Sequence, residues 1–384
     1  MLITFTVLYF IYGLIIGFVA MSLLISQHRN SYYTFRLLSL LCILLSLFTP
    51  IYLKYFSNLQ FANSLVNVVS PVTGFLFAIK MTELAFTYTW LELCHISLYQ
   101  IGIDFSTFPL YKYQSSRQIK SDKRDIVSFR DFMLENIKYL ILSNKYGVNF
   151  SPFRQNCLII IRGLFDVLFL IQTLKYVPYH YLQLHSKNFH VFNLECVFTY
   201  FLYGFILYFA LGMVANVVFG LGGLCWNIST QSVFPEYPFL ATSLQDFWSH
   251  RWNIYVKQSL HRISFIALPK LFHLEKDKQS INYIFYGYSA FFISGLLHEF
   301  MHTVANDKFS GKLLTFFMLH ATFVGCEIYL KKFNYVINIQ KNYPFLFKIF
   351  CWTYTIFILY CTAFLFCDPW IEANMFVALK SELT

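Results

Sequence analysis

The sequence predicts an all-α, polytopic integral membrane protein of about eight or nine transmembrane helices, at ~20 apolar residues per crossing, with one amphipathic helix along the membrane interface. Three observations carry that expectation. Hydrophobic residues make up 57% of the 384 and charged residues only 12%, about half the ~25% of an ordinary soluble domain. Several charge-free runs are long enough to cross the hydrocarbon layer. No stretch shows the ~10-residue alternation of an outer-membrane β-barrel.

The elements follow in order. Leu2 to Ile25, "LITFTVLYFIYGLIIGFVAMSLLI", reads as a retained first span, because it lacks the basic n-region and small-residue cleavage site of a signal peptide. A second span covers Leu37 to Leu53, bent or shortened by Pro50. From Phe61 to Ile103 the apolar run is interrupted by Pro71, Gly74, Lys80, Glu83 and Glu92. Two spans, or one span and a re-entrant piece, fit it equally, with its carboxylates facing the bundle interior. Residues 104–157 form a polar loop whose basic excess favours the cytoplasmic side. Its later part suits an interfacial helix and a solvated loop alike.

A span over Leu158 to Val177 follows, in which Arg162 and Asp166, four apart, are expected to pair structurally. The charge-free run Cys196 to Phe234 is too long for one straight crossing and reads as a helix plus a Gly-rich turn at "GLGG". Further spans cover Ile281 to Phe300, Leu313 to Leu330 and Phe345 to Phe366. With no repeat and no linker, residues 1–384 read as a single membrane-embedded domain.

Composition also narrows the partners. Nine cysteines with no C-x-x-C pair point to reduced, buried thiols and not to a disulfide framework or zinc knuckle. The net charge of +10 lies in short loops between spans, where it suits topology and anionic headgroups and no nucleic acid.

Two stretches carry chemistry. In "TSLQDFWSHRWNIYVKQSLHRISFIALP", Ser243 with Asp246 makes a capping-box start and Pro269 a stop, giving a helix over 243–268. On one such helix Asp246, His250, Asn253, Lys257 and His261 share a face, flanked by Trp248, Trp252, Tyr255 and Ile263. Downstream, "SGLLHEFMH" places Ser294, His298, Glu299 and His302 in an apolar span over 281–302, where an ionisable group is costly and therefore a functional candidate.

"SLQDFWSHRWN" followed by "SGLLHE" resembles the signature of the membrane-bound O-acyltransferase superfamily, wax synthase branch. The resemblance implies a tunnel within the membrane, acyl-CoA and a lipophilic alcohol as substrates, and the endoplasmic reticulum as the location. It carries the family's histidine onto His298 and its asparagine onto Asn253, with Glu299, Asp246, Trp248, Trp252 and Ser294 as supporting motif residues. The implied reaction needs no resident cofactor and no metal; acyl-CoA is a co-substrate.

The residue types suit that chemistry. Neutral imidazole removes a hydroxyl proton near working pH, and an amide NH₂ at Asn253 is a donor for a developing oxyanion or for orienting the ring. Glu299, the next residue on the helix, points about 100° away and is read as positioning, not as base. Arg251, Lys257 and Arg262, with Lys270, lie where the phosphates of coenzyme A would wait, and headgroup contacts are the equal alternative.

Other readings stay open at this point. The acceptor reads first as a long-chain fatty alcohol giving a wax ester, with a sterol, diacylglycerol or terpenoid alcohol as alternatives. His298-Glu299-x-x-His302 also has the spacing of a zinc metallopeptidase, with Glu327 or Asp368 as third ligand, but that reading treats "QDFWSHRWN" as accident. A lipid carrier without catalysis would leave His298 and Asn253 unexplained.

Overall fold

In a bilayer every backbone polar group must find its partner inside the chain, so apolar runs fold as helices. A computed structural model of the protein describes residues 32–55, 64–87, 152–176, 194–226, 228–272, 281–373 and 375. Among these residues there is no strand. The long helices are α1 (Tyr32–Tyr55), α2 (Ser64–Thr87), α3 (Pro152–Tyr176) and α4 (Leu194–Trp226). The motif segment holds α5 (Leu244–Asp246), α6 (Ile254–Arg262) and α7 (Leu268–Phe272). Helices α8 (Ile281–Asn306), α9 (Lys312–Leu330), α10 (Asn334–Asn342) and α11 (Pro344–Glu372) complete the order. The expected first span, most of the polar loop and residues 88–103 lie outside the described residues.

Helices α1, α3, α4, α9 and α11 are long and apolar enough to cross a membrane. Their outward faces are apolar too: Leu44, Leu168 and Phe350 are all exposed, as suits lipid contact. The protein is an integral membrane protein. Helix α8 has 26 residues, roughly 39 Å at 1.5 Å per residue, but its tyrosines, serines and histidines keep it below that apolar standard. It packs against α2 and α9 and keeps an exposed apolar edge at Ile284, Phe285, Phe292 and Leu296.

Three expectations about these helices change. Pro50 does not shorten α1, which runs on past the expected Leu53 to Tyr55. Proline leaves the carbonyl four residues back without its helical partner. Here that carbonyl, of Ser46, sits against Gly74 of α2, where an added Cβ would collide with it and with Pro50. The "GLGG" stretch is no turn but part of α4, which continues to Trp226. Its glycines let α3 come close: a Cβ at Gly220 would meet Ile160, and one at Gly223 would meet Asn156. Such small-residue seams are how helices associate where lipid removes the hydrophobic drive. Lastly, Arg162 and Asp166 reach across to α4 instead of pairing. Arg162 donates to the Tyr208 hydroxyl at 3.1 Å, and Asp166 accepts from Asn216 at 3.0 Å.

Two buried asparagines then tie down the chain leading to the motif segment. Asn156 donates to the Ile228 carbonyl at 2.7 Å and accepts from the Thr230 amide and hydroxyl at 3.1 and 2.8 Å. Asn216, already bonded to Asp166, accepts from the Val233 amide at 3.2 Å. A Cβ on Gly223 would come within 2.6 Å of the Asn156 Oδ1, and those bonds leave the amide no room to retreat. Gly223→Ala is therefore expected to cost about 1–3 kcal/mol by overpacking. Gly204→Ala, where nothing lies within 4 Å of the added atom, should cost nothing. Thermal unfolding of the two variants in lipid or detergent makes the comparison.

Leu170, Leu174, Tyr203, Ile206, Leu297, Met301, Leu313, Cys367 and Trp370 form one buried cluster. It joins α3, α4, α8, α9 and α11, so the histidine-bearing helix is set in the middle of the packing.

Candidate active site

The motif segment is not one continuous helix over 243–268. Its start is as expected: the Ser243 hydroxyl accepts from the Asp246 amide at 2.9 Å. Glu327, from the far end of α9, accepts from the Leu244 and Gln245 amides at 2.9 and 3.0 Å. The next turn, Phe247–Arg251, is a π-turn closed by the Trp252 amide on the Phe247 carbonyl at 2.9 Å. The helix then breaks. Asn253 takes the left-handed conformation, φ 38° and ψ 67°, and its side-chain oxygen accepts from the Val256 amide at 3.3 Å to start α6.

Asparagine is among the few L-residues that tolerate that conformation and also cap a helix. The break is why Asp246, His250, Asn253, Lys257 and His261 do not run along one continuous helix face. Pro269 is not a stop either, since α7 continues to Phe272. The wider π-turn Ile263–Ala267 precedes it, where an α-helical turn would clash with the proline ring.

His298 occupies the middle of the bundle. Its Nδ1 lies 2.8 Å from the Ser294 carbonyl on the previous turn of α8. A carbonyl can only accept, so Nδ1 carries the proton and Nε2 keeps its lone pair. The ring packs on Phe317 of α9, centroids 4.6 Å apart, and on Phe366 of α11 at 5.4 Å. Trp248 of the first motif touches the same Phe317 at 5.7 Å. The two motifs thus meet through one phenylalanine ring. Asn253 and His298 share no hydrogen bond among the described residues.

Glu299 turns away from the imidazole, as helix geometry requires. Its buried carboxylate accepts from the backbone amides of Ser310 at 2.5 Å, Gly311 at 2.6 Å and Leu314 at 3.3 Å. Those groups open α9, where a helix has unpaired N–H donors and attracts negative charge.

The basic residues have defined partners. Arg251 pairs with Asp246 at 2.7 Å and Glu236 at 3.0 Å. Arg262 pairs with Glu83 of α2, which also holds Lys80 at 3.3 Å. Lys270 donates to the Thr87 carbonyl. Burial holds the Lys257 ammonium below its ordinary pKa. Trp252 stacks on Phe247 at 5.4 Å and meets a tilted Phe234 ring at 5.1 Å.

The groups named for a metal site are spread among other duties. His302 places Nε2 3.1 Å from the Pro369 carbonyl, Glu327 holds α5, and Asp368 accepts from the Tyr200 hydroxyl at 2.8 Å. Among the described residues no three His, Cys, Asp or Glu side chains group to hold an ion.

One residue escaped the sequence reading. His320 of α9, fully buried, takes a hydrogen bond on Nδ1 from the Trp248 indole at 3.1 Å, and its Nε2 lies 2.9 Å from the Thr362 hydroxyl. A lone histidine in an apolar helix carries no motif to announce it.

Comparison with known proteins places this arrangement. The profile described as the membrane bound O-acyl transferase family matches residues 231–319. Residues 231–319 are thus similar to the membrane bound O-acyl transferase family. The matched residues begin just after Thr230, take in the broken motif helix, His298 and the Glu299 grip, and stop one residue before His320. Relatives extend the likeness. A putative long-chain-alcohol O-fatty-acyltransferase 10 of Arabidopsis thaliana is 34% identical over 34% of this chain and 39% of the relative. A probable long-chain-alcohol O-fatty-acyltransferase 1 of the same plant is 35% identical over 38% of this chain and 40% of its own length. An acyl-CoA–sterol O-acyltransferase 1, also from Arabidopsis thaliana, is 28% identical over 37% and 40%. This chain thus spans about two fifths of the length of these relatives.

Proposed function

We propose that the protein transfers an acyl group from acyl-CoA to the hydroxyl of a lipophilic alcohol, with a long-chain fatty alcohol, giving a wax ester, as the first choice. The observation that carries the reading is the fixed tautomer of His298: a bare Nε2 lone pair, in an aromatic pocket, inside the residues matched by the membrane bound O-acyl transferase profile. The alcohol gives its proton to Nε2 as its oxygen attacks the thioester carbonyl carbon. The tetrahedral oxyanion collapses, the C–S bond breaks, and the imidazolium returns the proton to the departing thiolate. The products are the ester and coenzyme A. The Ser294 carbonyl, on Nδ1–H, steadies the imidazolium in between.

In this scheme the cap at Asn253 uses only the amide oxygen, so its NH₂ remains as a donor to the thioester oxygen. Lys257 is the basic residue placed to meet a coenzyme A phosphate, and Arg251 and Arg262 hold the segment in shape or add to that contact. About eight or nine helices around an intramembrane tunnel, at ~20 apolar residues per crossing, in the endoplasmic reticulum membrane, complete the proposal.

The sterol reading is favoured by the sterol O-acyltransferase among the relatives, so acceptor choice is what the first experiment must decide. Microsomes bearing the protein are given labelled acyl-CoAs of several lengths, against fatty alcohols, sterols, diacylglycerol and terpenoid alcohols. A labelled wax ester from the fatty alcohols is the expected result. A preference for sterol replaces the acceptor, and no ester from any pair removes the reading.

A further inference from the structure

The relay Trp248–His320–Thr362 runs outside the reaction just described, ends outside the matched segment, and has a direction. An indole N–H can only donate, so His320 Nδ1 accepts from Trp248 and the ring proton must sit on Nε2. Nε2–H then donates to the Thr362 oxygen, and the Thr362 hydroxyl passes its own hydrogen to the Ile358 carbonyl at 2.8 Å. Every polar atom of the relay is satisfied, in a site where an unpaired one is expensive. The relay crosses three elements: the motif turn, α9 and α11.

Its geometry leads back to His298. Phe316 and Phe317 are neighbours on α9, their rings perpendicular at 5.2 Å. Phe316 packs on His320 at 4.3 Å and Phe317 on His298 at 4.6 Å. Trp248 touches both phenylalanines and His320. Phe366, one turn after Thr362, closes the ring of contacts against Phe316 and His298. Fixing the Trp248 indole therefore fixes the wall on which the His298 imidazole lies. A swing of that wall would turn Nε2 off the line to the hydroxyl, and small misplacements cost large factors in rate.

We propose that His320 is a positioning residue for acyl transfer, orienting His298 through Trp248 and Phe317; this rests on the acyltransferase reading above. The test separates the two arms of the imidazole with three variants: His320→Asn, His320→Gln and His320→Leu. In H320N the amide oxygen falls near the place of Nδ1 and can still accept from Trp248. In H320Q the longer amide favours Thr362 and strands the indole, and H320L strands both partners. All three lose a buried hydrogen bond and should unfold at lower temperature. Only the Trp248 arm should govern rate: kcat per folded molecule falls on the order of tenfold in H320Q and H320L, as for other groups that orient a reactive side chain. H320N stays within a few-fold of wild type, and KM for both substrates changes little.

Equal losses in H320N and H320Q that track stability would overturn the proposal, as would wild-type kcat in H320Q. A second readout needs no turnover. With ¹⁵N-labelled tryptophan and histidine, the Trp248 indole N–H and His298 ring signals should hold in H320N and move together in H320Q and H320L. If the wild type makes no ester from any substrate pair, the acyltransferase reading fails, and the positioning of His298 is decided by those signals alone. An unmoved His298 signal in all three variants then rejects it.

Discussion

His298→Ala is expected to lower kcat for ester formation by on the order of 10²–10⁴-fold, the usual worth of a positioned general base. The loss should appear in protein that still folds. Among the described residues the imidazole bonds only to a carbonyl of its own helix and packs on Phe317 and Phe366, so truncation strands no charged partner there. His298→Gln keeps more of the volume without a base of suitable pKa and should be equally slow. Initial rates at saturating acyl-CoA and alcohol, set beside unfolding midpoints, make the measurement. Near-normal turnover in either variant would take the base away from His298. His302→Ala should give the opposite pattern. That ring is 4% exposed, bonded to the Pro369 carbonyl and set edge-on to Trp370, so its loss weakens the fold more than the chemistry.

The largest effect on stability is expected at Glu83. Its carboxylate, 3% exposed, binds both Lys80 on its own helix and Arg262 of the motif segment. Glu83→Gln keeps the shape and removes the charge that the buried Lys80 and the part-buried Arg262 share. Breaking a buried ion pair in this way costs about 3–5 kcal/mol, chiefly through the charge left behind. Arg262→Met added to it should restore part of that loss, because one of those cations is gone. Unfolding midpoints of the wild type, both single variants and the double variant close the cycle. A Glu83→Gln variant within about 0.5 kcal/mol of wild type, the range of ordinary surface changes, would show that the cluster carries no such weight.

Much of the helical frame was legible because a bilayer demands unbroken apolar runs: both ends of α9 and the start of α11 fell close to expectation, while α11 runs past the expected Phe366 to Glu372. The chemistry was legible where it travels in contiguous letters: His298 and the Trp248 block stand beside their own markers. What stayed hidden depends on distance or on backbone shape. Nothing local ties Glu83 to Arg262, 179 positions away. The helix periodicity that put Asn253 on a shared face assumes a right-handed residue there, and it has positive φ. His320 needed Trp248 beside it before it meant anything. The glycines of α4 read as a turn because their reason, the buried Asn156, sits on another helix.

The two glutamates that clasp helix starts, Glu299 at α9 and Glu327 at α5, grip main-chain N–H groups at those starts. Their partners consequently have no identity to conserve. As far as those bonds go, positions 244, 245, 310 and 314 admit any residue but proline, the one without a donor. Sequence can drift freely around a carboxylate that cannot. A comparison of letters is therefore expected to find no covarying mate for either glutamate, although each one joins two elements of the fold.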